Sequence, residues 1–181
     1  SKKFAVEIDP KAIAIREVLP GANCGGCGFP GCDGFANAVA EGRAPVNGCP
    51  VGGSELAQKI GEIMGVEVEE GVRKVARVIC NGDSTKCKDN FEYFGIQDCK
   101  AAAMISGGSK SCNYGCLGLG TCVEACQFDA IVIVDGIAKI DPEKCTTCGK
   151  CIEVCPKSVI ELVPYDQNVF VDCNSKEFGK D

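Results

Sequence analysis

The run Cys145-x2-Cys148-x2-Cys151-x3-Cys155, with Pro156 directly behind it, limits more than any other feature what this chain can fold into. Four thiols this close together suit an iron-sulfur cube that takes three of them while the fourth reaches a neighbouring cube. Structural zinc is the competing reading of clustered cysteines. A four-cysteine zinc site usually splits into two separated Cys-x2-Cys knuckles, and this run does not.

The run is also half of a repeat. Cys126-Gln-Phe-Asp-Ala-Ile-Val-Ile is echoed by Cys155-Pro-Lys-Ser-Val-Ile-Glu-Leu, each a cysteine followed by a turn and a strand. Between them, residues 131–140 read as a hairpin turning on Asp135-Gly136. Two such halves predict a two-cluster ferredoxin-like module in which each half lends its last cysteine to the other half's cube. Cys126, Cys145, Cys148 and Cys151 are then expected to share one [4Fe-4S] cluster, and Cys155 belongs to the other.

That other cluster departs from the regular spacing, because Leu119 stands where a cysteine is expected. Cys116, Cys122 and Cys155 leave the cube one ligand short. Cys112, four residues upstream of Cys116, has the shortest reach through a loop containing Gly115 and is the expected substitute. Cys80, Cys87 and Cys99 compete with it, and these leftover thiols leave open a fourth cluster beyond the three expected.

A separate set, Cys24-x2-Cys27-x4-Cys32-x16-Cys49, lies upstream in a loop rich in glycine. Glycines allow tight turns and bring backbone amides close to cluster sulfurs, so this set predicts one further [4Fe-4S] site. A helix capped by Asp9, with Pro10 at its first position and Ala12, Ile13, Val18 and Leu19 as its apolar residues, delivers the chain to the loop and stops at Pro20. A short helical stretch is expected over 35–41 and a second amphipathic helix over 55–64. Ser54 is the expected cap of the latter, Leu56, Ile60, Ile63 and Met64 its stripe, and Gly65 its end. Residues 67–71 read as a linker, 72–79 as a strand and 98–105 as a helix closed by Gly107-Gly108.

The expected fold class is α+β: a small helical four-cysteine Fe-S module followed by a two-cluster ferredoxin-like module. The divisions are 1–66 for the N-terminal module, 67–111 for a connecting α/β segment with extra cysteines, 112–165 for the ferredoxin-like domain and 166–181 for the start of a truncated further repeat. The last rests on Val169-Phe-Val-Asp-Cys173-Asn-Ser, which repeats the opening Val78-Ile-Cys80-Asn-Gly, and Cys173 is expected to bind no cluster.

With 16 cysteines in 181 residues the density matches a disulfide scaffold, but the chain is long and opens with no signal-peptide pattern, so the thiols read as metal ligands in a reducing compartment. The absence of histidine excludes Rieske centres, haem attachment and histidine-based triads, so the chemistry must be carried by cofactors. No catalytic residue is expected, and no glycine motif of the dinucleotide-binding kind follows a strand and opens a helix. A net charge of −6 disfavours nucleic acid as a partner. A basic stretch at Arg73, Lys74, Arg77, Lys86 and Lys88 reads as a solvated face or a docking patch for an acidic partner. No apolar run approaches the ~18 residues a membrane span requires.

The loop from Cys24 to Cys49 resembles one shared by the B subunit of the Rnf electron-transport complex and the corrinoid iron-sulfur proteins. The following stretch is similar to the Rnf B subunit of anaerobic bacteria. It carries Cys80-Asn-Gly, Ile96-Gln-Asp-Cys99, Ser111-Cys-Asn-Tyr-Gly-Cys-Leu-Gly-Leu-Gly-Thr-Cys122 and the paired ferredoxin halves. The resemblance runs from about Asn23 to Cys173. It implies a subunit that takes electrons from reduced ferredoxin and passes them through clusters to other subunits of a membrane complex at the cytoplasmic face, where NAD reduction drives Na+ or H+ translocation. That family opens with a membrane-spanning helix not found in these residues, which implies a soluble fragment, and Gln127 stands where the family often has proline. A second class, a soluble polyferredoxin or electron donor for a corrinoid or aromatic-ring reductase system, shares the same clusters. A membrane helix upstream of Ser1 would discriminate the two.

Overall fold

The computed structural model describes residues 9–68 and 72–177. The chain divides into two compact units, Ser1–Arg73 and Lys74–Asp181. Part of the expected linker, residues 69–71, lies outside the described residues.

Among its described residues the first unit is built from three helices: α1 (Pro10–Val18), α2 (Gly31–Ala40) and α3 (Gly53–Met64). Asp9 caps α1, its Oδ1 accepting from the Lys11 amide at 2.8 Å, with Pro10 at the first position as expected. The apolar stripe differs from the expected one. Ala12, Ile15 and Leu19 are buried, whereas Ile13 and Val18 are 48% and 36% exposed. Residues 12, 15 and 19 recur at helical spacing on one face, and 13 and 18 fall off it.

Helix α2 begins four residues before the expected start, at Gly31. The Cys32 amide, one of the first-turn donors without an intrahelical acceptor, is met by Asn23 Oδ1 at 2.8 Å. Helix α3 starts at Gly53 with Gly52 as its cap, so Ser54 makes no cap bond, and it ends at Gly65 in the left-handed conformation (φ 74°). Ile15, Phe35, Val39, Leu56 and Ile60 form the shared core, with Phe35 only 1% exposed.

Among its described residues the second unit holds two antiparallel ribbons. Strands β2 (Ile131–Val134) and β3 (Ile137–Ile140) form the expected hairpin. Asp135 (φ 50°) and Gly136 (φ 75°) are both left-handed, as the tight turn requires. Strand β1 (Lys74–Val78) pairs with β4 (Ile160–Pro164) in the register Lys74↔Pro164 to Val78↔Ile160. The strand expected over 72–79 is therefore not an isolated connector but the partner of the last strand.

Short helices α4 (Cys99–Ala103), α5 (Thr121–Glu124) and α6 (Lys150–Val154) complete the unit. Ala76, Val78, Ile131, Ile137, Ala138, Val159 and Ile160 pack with Cys116, Cys122 and Cys151 into one core. The internal repeat is visible in the backbone. Left-handed residues recur as Gly118 with Thr147, Gly120 with Gly149, and Asp129 with Ser158, each pair 29 positions apart. Leu119 thus occupies the place of Cys148.

Candidate metal centres

In the first unit Cys32 rides on the first turn of α2, held by Asn23, whose Nδ2 also bonds the Gly21 carbonyl at 3.2 Å. Cys27 and Cys49 pack against the same core. Burial pushes the Cys49 thiol up; the Gly52 and Val51 amides oppose this, and the nearby Cys27 and Cys24 add to it.

Two of the cavities in the second unit have equal volumes, about 20 Å³ each. The first is lined by Cys126, Cys145, Cys148 and Cys151, with Ala76, Phe128, Ile131 and Ile140 among its apolar walls. Burial, with Cys145, Cys148 and Cys126 nearby, pushes the Cys151 thiol up to about 11. The Ala76 amide donates to Cys145 Sγ at 3.3 Å. The Thr146 Oγ1 is buried and has no hydrogen-bond partner, and Thr146 lines this cavity.

The second cavity is lined by Cys99, Cys116, Cys122 and Cys155, walled by Val78, Leu117, Val159 and Ile160. Burial first, then Cys116, Cys99, Cys155 and Cys151, push the Cys122 thiol up to about 12. Burial also raises Cys116, against the amides of Ala138 and Gly118 and the charge of Lys110. Cys122 and Cys151, one from each cavity, belong to the same packed core, so the two cavities lie close together.

Cys112, expected as the substitute ligand, is not among the residues lining this cavity. Two of the other leftover thiols, Cys80 and Cys87, flank Gly82. A Cβ on Gly82 would stand 3.4 Å from Cys87 Cβ and 3.5 Å from Cys80 Sγ. Cys87 Sγ lies 3.5 Å from the hydroxyl of Ser111, the neighbour of Cys112, and the Cys116 amide donates to Cys80 Sγ at 3.4 Å. Cys173 is exposed, and the preceding Asp172 carbonyl accepts from the Asn81 amide at 3.0 Å.

Three further residues take roles that motif reading did not assign. Lys110 is buried at 7% exposure, its ammonium donating to the Gly82 and Gly136 carbonyls at 2.9 and 2.7 Å. Asp98 caps α4 through the Ala101 amide at 2.8 Å, and Thr121 Oγ1 donates to Asp98 Oδ2 at 2.9 Å while accepting from the Cys99 amide at 2.6 Å. The Ala101 amide, then the Thr121 hydroxyl, hold the Asp98 carboxyl below the usual range. The basic stretch, by contrast, is not one free face. Arg77 makes a bidentate pair with Asp172 at 3.0 Å and lies 3.7 Å over the Phe170 ring, and Lys86 pairs with Asp83.

These sites fit iron-sulfur clusters on their own chemistry. The side chains of each cavity that can ligate a metal are four thiols, much of the remaining wall is apolar, and Thr146, whose buried hydroxyl has no hydrogen-bond partner, lines one of them, where a cluster sulfur would be an acceptor. Buried thiols crowded together resist ionising until a cation arrives, so loading releases protons. Among the described residues no group of three or more histidine, cysteine, aspartate or glutamate side chains is set to hold a single metal ion.

Residues 19–51 match the family described as "Putative Fe-S cluster", and residues 111–159 match the 4Fe-4S dicluster domain. The chain is 53% identical over 181 residues to the B subunit of the Na(+)-translocating ferredoxin:NAD(+) oxidoreductase complex of Acetobacterium woodii, covering 99% of this chain and 54% of that protein. It is 45% identical to the B subunit of an ion-translocating oxidoreductase complex of Methanosarcina acetivorans, covering 100% of this chain and 69% of the relative. A third relative is the B subunit of the proton-translocating ferredoxin:NAD(+) oxidoreductase complex of Clostridium ljungdahlii, at 44% identity over 99% and 64% of the two chains. The chain therefore spans between about half and two thirds of these relatives. Among the described residues no helix is long and apolar enough to cross a membrane.

Proposed function

The chain belongs to the family of B subunits of ion-translocating oxidoreductase complexes, and from that premise we propose that it conducts electrons from reduced ferredoxin to partner subunits of a membrane complex that couples NAD reduction to Na+ or H+ movement. The ligand sets in this reading are Cys24, Cys27, Cys32 and Cys49 in the first unit, and Cys126, Cys145, Cys148 and Cys151 with the set of Cys116, Cys122 and Cys155 in the second. Bound there, [4Fe-4S] clusters supply one-electron transfer without proton chemistry. The protein's own part is to ligate, to exclude water and to aim dipoles. Val78, Leu117, Val159 and Ile160 keep one cavity dry, Phe128, Ile131 and Ile140 the other, and the Ala76 amide points at the Cys145 sulfur.

The observation that carries this reading is the pair of thiol-lined cavities, whose Cys122 and Cys151 belong to different sets yet pack into one core. Such closeness favours exchange of electrons between the sets. The test is to mix the anaerobically loaded chain with reduced ferredoxin in a stopped-flow spectrometer. Rapid bleaching of the visible cluster absorbance is expected. A chain that dithionite bleaches but reduced ferredoxin does not would overturn ferredoxin as the donor.

A further inference from the structure

We propose that Cys99 is the fourth thiolate of the cluster held by Cys116, Cys122 and Cys155. The proposal rests on the reading of those three residues as ligands and completes it. In the other half of the repeat, the four thiols lining the cavity are the four assigned to one cube. In this half the cavity has the same volume and again four thiols line it, the fourth being Cys99, which comes from outside the repeat.

The fold shows how this replacement is held. Leu119, in the place of Cys148, packs instead on a small apolar group formed by Cys99, Ala102 and Leu117. The side chain that displaced the regular ligand thus helps seat the helix that brings the new one. A second clamp is polar: Thr121 Oγ1, next to Cys122, receives the Cys99 amide at 2.6 Å and donates to Asp98 at 2.9 Å. Asp98 in turn caps α4. Cys99 is therefore tied on both sides to the loop that carries Cys116 and Cys122, and it is only 9% exposed. Cys112 has the shorter path in sequence, yet it lies beside the turn at Gly115 and does not line the cavity.

The test uses the full chain loaded anaerobically with iron and sulfide, with iron counted per chain and electron paramagnetic resonance recorded in the oxidised and reduced states. Cys99→Ala is expected to lose between one and about four irons, a one-iron loss appearing as the signal of an oxidised three-iron cluster, while the signal of the Cys126, Cys145, Cys148 and Cys151 cluster persists. Leu119→Cys added to Cys99→Ala restores regular spacing, and it should recover the lost iron and the wild-type spectrum. Full iron and an unchanged spectrum in Cys99→Ala would overturn the proposal. So would a loss that also takes the neighbouring cluster and that Leu119→Cys does not repair, since Cys99 would then be supporting the fold rather than binding iron. Cys116→Ala separates the two levels of inference: if it removes no iron, the assignment of this cavity as a cluster site has failed, whatever Cys99 does.

Discussion

Thr146 offers a sharp test of the claim that a cluster occupies the cavity it lines. Its hydroxyl is buried with no hydrogen-bond partner from the chain, a situation that costs roughly 1–3 kcal/mol if nothing fills it. A cluster sulfur is an acceptor, and it becomes a better one when the cluster gains an electron, so the bond favours the reduced form. If the bond strengthens by about 1 kcal/mol on reduction, a typical net worth for a hydrogen bond, the potential rises by roughly 40 mV for one electron. Thr146→Val keeps the shape and removes the donor. Its cluster, held by Cys126, Cys145, Cys148 and Cys151, should then titrate roughly 40 mV lower, with the other clusters unmoved. Thr146→Ser keeps the hydroxyl and should stay near the wild-type value. The assay is a redox titration followed by electron paramagnetic resonance. An unchanged potential in Thr146→Val, or equal shifts in the Val and Ser variants, would refute the reasoning.

Thr121→Val removes the acceptor of the buried Cys99 amide and one partner of Asp98; at a cost of about 2 kcal/mol, hydrogen exchange at the Cys99 amide should accelerate roughly thirtyfold, and unchanged exchange would deny the clamp. Gly118→Ala places a Cβ 2.2 Å from the Gly136 carbonyl oxygen at a left-handed position (φ +73°), so it should displace the hairpin turn and lower the iron held by Cys116 and Cys122 while sparing the first unit. Replacing Cys24, Cys27, Cys32 or Cys49 singly by Ala should remove about four irons and leave the second unit's clusters reducible; loss of every cluster would show that the units do not load independently.

Much of the second unit was legible because its signals are local. The cysteine spacing, the echo between the two halves and the Asp135-Gly136 turn each lie within a few residues, and the hairpin formed as read. The Asp9 cap and the Gly65 stop were readable for the same reason. What escaped the sequence depends on contacts between distant segments. Strand β1 meets β4 across most of the unit, with no turn to announce the pairing. The start of α2 is set by an Asn23 side chain nine residues upstream. Proximity of Cys99 to Cys122 follows from the Thr121 and Asp98 bonds and from Leu119 packing, whereas loop reach along the chain pointed to Cys112. Lys110 and Thr146 carry no motif at all; their burial and their partners, or lack of them, are what single them out.

The most direct measurement is the iron and acid-labile sulfide bound per chain after anaerobic loading. Three sets of cluster ligands predict at least about twelve irons with equal sulfide, in a brown protein whose visible absorbance bleaches on reduction. A colourless chain holding about one metal ion per thiol set and no sulfide, as four-thiolate zinc sites would give, contradicts the account at its centre.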